Sequence, residues 1–114
     1  DEVRSVGEIL AHIADGQILF CSAAAGETRP GSDSFEGSNL TKAGTVKSLE
    51  AAFAYCERVF DGMTDTGLGT AVDFFTGPNT VGGVLAFNSA HNYEHYGNLV
   101  TYMRLNGIVP PSSR

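Results

Sequence analysis

The chain has 114 residues, 42% of them hydrophobic, a size and composition that suit one small folded domain. Thirteen acidic against seven basic residues leave a formal charge of -6. The basic residues are scattered singly, which argues against nucleic acid or an anionic membrane as the main partner, and no apolar run approaches the ~18 residues of a membrane-spanning helix.

The N-terminus, Asp1-Glu2-Val3-Arg4, is not a signal peptide and reads as that of a processed or trimmed chain, or of a fragment. The compartment stays open, leaning to the cytoplasm. Cys21 and Cys56 lie in unrelated apolar helical contexts and form no CxxC pair. Two buried free thiols are the expectation, with a disulfide between them as the alternative.

In chain order, the first helix is expected over residues 5–26. Ser5 and Glu8 have capping-box spacing, and Gly26 is a natural stop. Ile9, His12, Ile13, Gly16, Leu19, Phe20 and Ala23 recur at helical spacing and make its apolar stripe. His12 falls inside that stripe, with Gly16 one turn later leaving room beside it. Asp15, at its margin, either orients a nearby ring N–H or stands in solvent.

Residues 27–40 read as a loop with two runs of turn-formers, residues 29–34 and 37–39, and Phe35, the only large apolar residue between those runs, is expected to pin it to the body. That is long for a helix–helix connection, and such a loop can cover a site. The second helix, over residues 43–62, carries a stripe of Val46, Leu49, Phe53, Cys56 and Phe60 with Ala52 and Val59 alongside, and its role is structural. Residues 63–78 hold turn-like glycines and a short apolar run, Ala71 to Phe75, read as an extended or one-turn segment because no partner strand is evident. The glycines match no phosphate-binding fingerprint.

The third helix is expected over residues 80–106, closed by Gly107. Val84, Asn88, His91, His95, Leu99 and Tyr102 form its stripe, with Asn98 on the flank. Histidines four apart share a helix face, and polar groups lined along a buried face are costly unless they bind one another or a ligand. If His12 joins His91 and His95, three imidazoles with a fourth position left open make a catalytic-type zinc ligand set, compatible also with nickel, iron or cobalt. The alternative is three satisfied histidines in a polar core layer. His91 to His95 also matches the H-x-x-E-H protease pattern. Glu94 nevertheless projects roughly 60 to 100° away from the rings around the helix, and no acidic ligand follows, so proteolysis is set aside. Glu94 is expected instead to accept a hydrogen bond from a neighbouring helix or another subunit, and Tyr102 is the best-aligned donor near the site.

Two segments carry a family resemblance. Val3 to Asp15 resembles the start of the second helix of the DinB-like superfamily, the damage-inducible, YfiT-type four-helix bundles, including its ligand histidine. His91-Asn92-Tyr93-Glu94-His95-Tyr96-Gly97-Asn98-Leu99, with Tyr102 to Pro111 after it, resembles the last helix and its H-x-x-x-H pair. The resemblance implies an all-α domain over residues 1–114, of the up-down-down-up four-helix-bundle type, with the first helix missing and an apolar groove exposed in its place. It implies a divalent metal, zinc or nickel, on His12, His91 and His95, a small-molecule substrate, a low-molecular-weight thiol at the metal, and a homodimer. The function it implies is a metal-dependent, thiol-dependent transferase or a hydrolase, its reaction unspecified. A non-catalytic metal-binding or assembly module is the alternative.

Overall fold

The computed structural model describes residues 3–31, 34–38 and 41–114. The turn-formers at positions 32, 33 and 39, together with residue 40 and the first two residues, lie outside them. Three long helices carry the fold: α1 (Val6–Ala25), α2 (Lys42–Asp61) and α4 (Val81–Leu105), with a single short turn, α3 (Asp65–Leu68), before a small hairpin. Each long helix starts on a side-chain cap: Ser5 accepts from the Glu8 amide, Thr41 from Gly44 and Thr80 from Gly83. Glu8 reciprocates onto the Ser5 amide, completing a capping box, and Gly26 ends α1 in the left-handed region at φ 66°.

α1 is the centre of the molecule. α2 packs on one of its sides and α4 on another, so α1 buries a wide arc that includes Ile9, Ile13, Ala14, Ile18 and Phe20. Two clusters fill the interfaces: Ala14, Ile18 and Ala52 between α1 and α2, and a larger one around Phe20, Ala24, Val59, Val84 and Leu85. The flanking helices bury less than their patterns suggest. On α2 the buried seam is Thr45, Ala52, Cys56 and Val59, while Val46, Phe53 and Phe60 stay 43–47% exposed. Leu19 of α1, at 40%, also turns outward. Periodicity reports how wide an apolar face is; only packing decides how much of it finds a neighbour. Part of the surplus lines a groove beside α1, walled by Leu10, Ile13, Leu49, Phe53, Tyr96 and Leu99.

Two sequence-based expectations are corrected here. The apolar run after Gly69 is a strand, β1 (Ala71–Phe74), paired antiparallel with β2 (Gly77–Thr80) in the register Ala71 to Thr80 and Phe74 to Gly77. Its partner is local, formed by residues that read as breakers. Gly77 supplies a φ of 109° after the turn, and Pro78 is tolerated because a two-stranded ribbon has only edge strands. Val72 and Phe74 alternate onto the core beside Phe20. The cysteines are not free: Cys21 and Cys56 form a disulfide between α1 and α2, with Cα atoms 5.4 Å apart. Each is buried in the seam where the two helices touch, so two apolar contexts that look unrelated in sequence meet in space. Asn88 lays its amide over the bridge, Nδ2 at 3.7 and 3.6 Å from the two sulfurs. Among the described residues no helix is long and apolar enough to cross a membrane.

Candidate metal centre

The centre is built from α1 and α4 where they face one another. His91 and His95, one turn apart on α4, point at His12 on α1. Nε2 of His91 lies 3.1 Å from Nε2 of His12 and 3.1 Å from Nε2 of His95. Ligating atoms of all three fall within 4.8 Å of one another. His95 is buried, at 6% exposure, while His12 and His91 are partly exposed. The sequence-derived trio is therefore brought to one point.

Gly16 makes this approach possible. A Cβ there would stand 2.7 Å from Cε1 and 3.1 Å from Nδ1 of His91, and 3.3 Å from the Phe20 ring. The space that Gly16 leaves belongs to His91, across the helix interface. Phe20 packs against the same ring, perpendicular to it at 5.1 Å between centroids. Nδ1 of His91 is buried without a partner among the described residues.

The loop before α2 reaches the centre, and in a way the sequence did not indicate. Glu36 takes His12 by Nδ1, with Oε2 2.6 Å away, and its other oxygen accepts from Arg4 Nε. A carboxylate on Nδ1 fixes the proton there and leaves the Nε2 lone pair facing the centre, the usual arrangement of a ligand histidine. Asp15 does not orient a histidine and does not stand in solvent. It accepts from the Phe35 amide at 3.0 Å, the Glu36 amide at 2.8 Å and Arg29 at 2.6 Å, and from the Ser34 hydroxyl. Asp15 is the peg that delivers Glu36, while Phe35 packs between α1 and α2. Burial pushes the Asp15 and Glu36 carboxyls up, yet the hydrogen bonds they accept outweigh it and hold both below their usual range.

The remaining polar residues divide by task. The Asn98 amide lies 3.3 Å from Nδ1 of His95, where one of its two orientations offers an acceptor for a ring N–H. Tyr102 donates to the Arg4 carbonyl at 2.8 Å and so ties the chain ahead of α1 to α4, away from the ligating nitrogens. Glu94 is exposed, on the outer face of α4.

Burial, reinforced by the neighbouring His95 and His12, depresses the His91 pKa to about 4; burial and His12 lower that of His95. Both rings are thus neutral at pH 7, the form that ligates. Three imidazole lone pairs aimed at one point repel unless a cation sits among them. Around a tetrahedral ion at about 2.0–2.1 Å, ligand nitrogens stand about 3.3 Å apart, close to the spacing seen. By donor type and spacing, the trio could hold a metal ion.

No curated protein matches the chain. The family model of the DinB superfamily matches residues 1–99, most of its length and all three histidines. The chain belongs to the DinB superfamily.

Proposed function

We propose that the protein binds one divalent metal ion, zinc or nickel, through Nε2 of His12, His91 and His95, and that this centre serves a metal-dependent transferase or hydrolase acting on a small molecule. The observation that carries the reading is the convergence of three ring nitrogens, two pairs of them 3.1 Å apart, from two different helices. Support for chemistry over a structural site comes from the ligand count. Among the described residues the group numbers three, and a tetrahedral ion with three protein ligands keeps a position for water or substrate. A metal bound there supplies a Lewis acid and lowers the pKa of the water or thiol it takes up.

The chain's own residues prepare that centre. Glu36 holds the His12 tautomer, Gly16 and Phe20 box in the His91 ring, and burial keeps His91 and His95 unprotonated. Of the cations that reach the carboxylates beside the site, Arg29 is engaged by Asp15 and Arg4 in part by Glu36. A thiol used here would therefore be a small one with few carboxylates.

Metal analysis of the purified chain beside His91→Ala tests the reading. One equivalent of metal is expected in the parent and little in the variant, with a lower melting temperature because the bound ion stabilises the fold. Stoichiometric metal retained by His91→Ala would defeat the assignment.

A further inference from the structure

Next to the histidine centre lies a second cavity that metal ligation does not use. It opens between the segment leading into α1 and the C-terminal half of α4, with a volume of about 460 Å³, and its walls include Arg4, Ile9, His95, Asn98, Tyr102 and Leu105. Sites for small organic ligands run from about 300 to 1,000 Å³. The lining is mainly apolar: Ile9, 4% exposed, is buried against it, and Leu105, 78% exposed, stands open to solvent. Its back is shared with the metal centre, because the same His95 ring that faces His91 also forms part of this wall.

Among the described residues Arg4 is the one cation on that lining, and none of them puts a carboxylate on it. Glu36 occupies its Nε–H. A guanidinium has five N–H donors in a planar fork, and among the described residues the terminal NH₂ groups of Arg4 have no partner. The bond from Tyr102 to the Arg4 carbonyl holds this residue at the cavity. A lone, anchored guanidinium with an open edge, above an apolar floor, matches one chemistry: an anionic head on a hydrophobic body. A polyanion would find one cation among the described lining residues, on a chain of net charge -6, and a neutral apolar ligand would leave the fork unpaired.

We propose that this cavity binds a small organic monocarboxylate, its carboxylate on the terminal NH₂ groups of Arg4 and its apolar body against Ile9 and Leu105, and so sets a substrate beside the metal centre. The substrate role rests on the metal-centre reading; the binding itself does not.

The experiment is a ¹⁹F NMR titration of the full chain, metal-free and zinc-loaded, with 4-(trifluoromethyl)benzoate and with the corresponding neutral benzamide. The carboxylate should bind the metal-free protein about ten-fold more tightly than the amide, the size of one charge-assisted contact. Arg4→Met should remove most of that preference and leave amide binding within about two-fold. Leu105→Asp, at an exposed position that the fold does not need, should weaken the carboxylate several-fold. Equal affinity for acid and amide overturns the proposal, as does carboxylate binding indifferent to both variants, or binding that appears only with zinc and ignores Arg4. Should zinc fail to bind while the Arg4-dependent preference persists, the metal reading falls and the carboxylate site stands. Zinc bound to the three histidines without that preference sinks the carboxylate site alone.

Discussion

Gly16→Ala is the sharpest probe of how the centre is held together, because one methyl group acts on His91 without touching a ligand residue. On an isolated helix the change would stabilise by about 1 kcal/mol. Here the new Cβ would meet His91 Cε1 at 2.7 Å, against an ordinary contact of 3.4 Å or more, so the ring must retreat by about 0.7 Å. It has little room for that, with Phe20 edge-on at one side and His12 and His95 at the other. Overpacking of this kind costs about 1–3 kcal/mol, so the metal-free variant should be between unchanged and about 2 kcal/mol less stable once the helix gain is counted. Metal binding should suffer more, because ligand distances tolerate only about 0.2 Å and the retreat exceeds that several-fold. We expect affinity for zinc, measured by competition with a chromophoric chelator, to fall at least ~10-fold, as when the support of a ligand is lost. Gly97→Ala, with nothing within 4 Å of its added Cβ, is the control and should bind normally. Zinc affinity in Gly16→Ala equal to that of the control would refute the picture of a boxed His91.

Three further outcomes follow from the same geometry. Glu36→Gln keeps the size of the side chain but weakens the hold on His12 Nδ1 and on Arg4; zinc affinity should drop by about 10–100-fold, and an unchanged value would show that Glu36 is incidental. Cys21→Ala/Cys56→Ala opens a link across 35 positions, worth up to about 4 kcal/mol by loop-closure entropy. Urea melts of the parent with and without reductant should show the same loss, and coincident melts would exclude the bridge in solution. In the metal-free chain His91 titrates near 4 rather than 6.5, so on acidification the unfolded state takes up its proton first. Stability should therefore hold above about pH 6.5, fall between 6.5 and 4, and level off for this group below that. His91→Gln should flatten that limb in chemical denaturation, and a parent whose stability is constant from pH 7 to 5 would contradict the depressed value.

The three long helices were legible because each combines a cap, a 3.6-residue pattern and a glycine or asparagine close. The histidine trio was legible because an i, i+4 pair on an apolar face is costly without a partner. Glu36 escaped for the opposite reason. It sits in a loop without periodicity, and its position depends on Asp15, twenty-one residues away. The only sequence signal was a long connection with one aromatic anchor and a carboxylate beside it. The hairpin hid because four-residue strands are too short to establish alternation, and because Gly77 and Pro78 are breakers anywhere but at a turn and an edge. The cysteines hid because a buried half-cystine and a buried thiol occupy the same apolar helical context. In each case the missing information was which distant residue lay opposite.

α1 is joined to its two neighbours by different chemistry. To α2 it is bound covalently, through Cys21 and Cys56; to α4 it faces across the histidine cluster, where on our proposal an ion completes the join. With that ion bound, one small chain would carry two separate releases. A reductant would loosen α2 and leave the histidines assembled, whereas a chelator or mild acid would loosen α4 and leave the covalent half intact. Amides of α1, sheltered from both sides, would exchange with solvent only when both fastenings are undone, and the order of protection along the chain would read out which one had been opened.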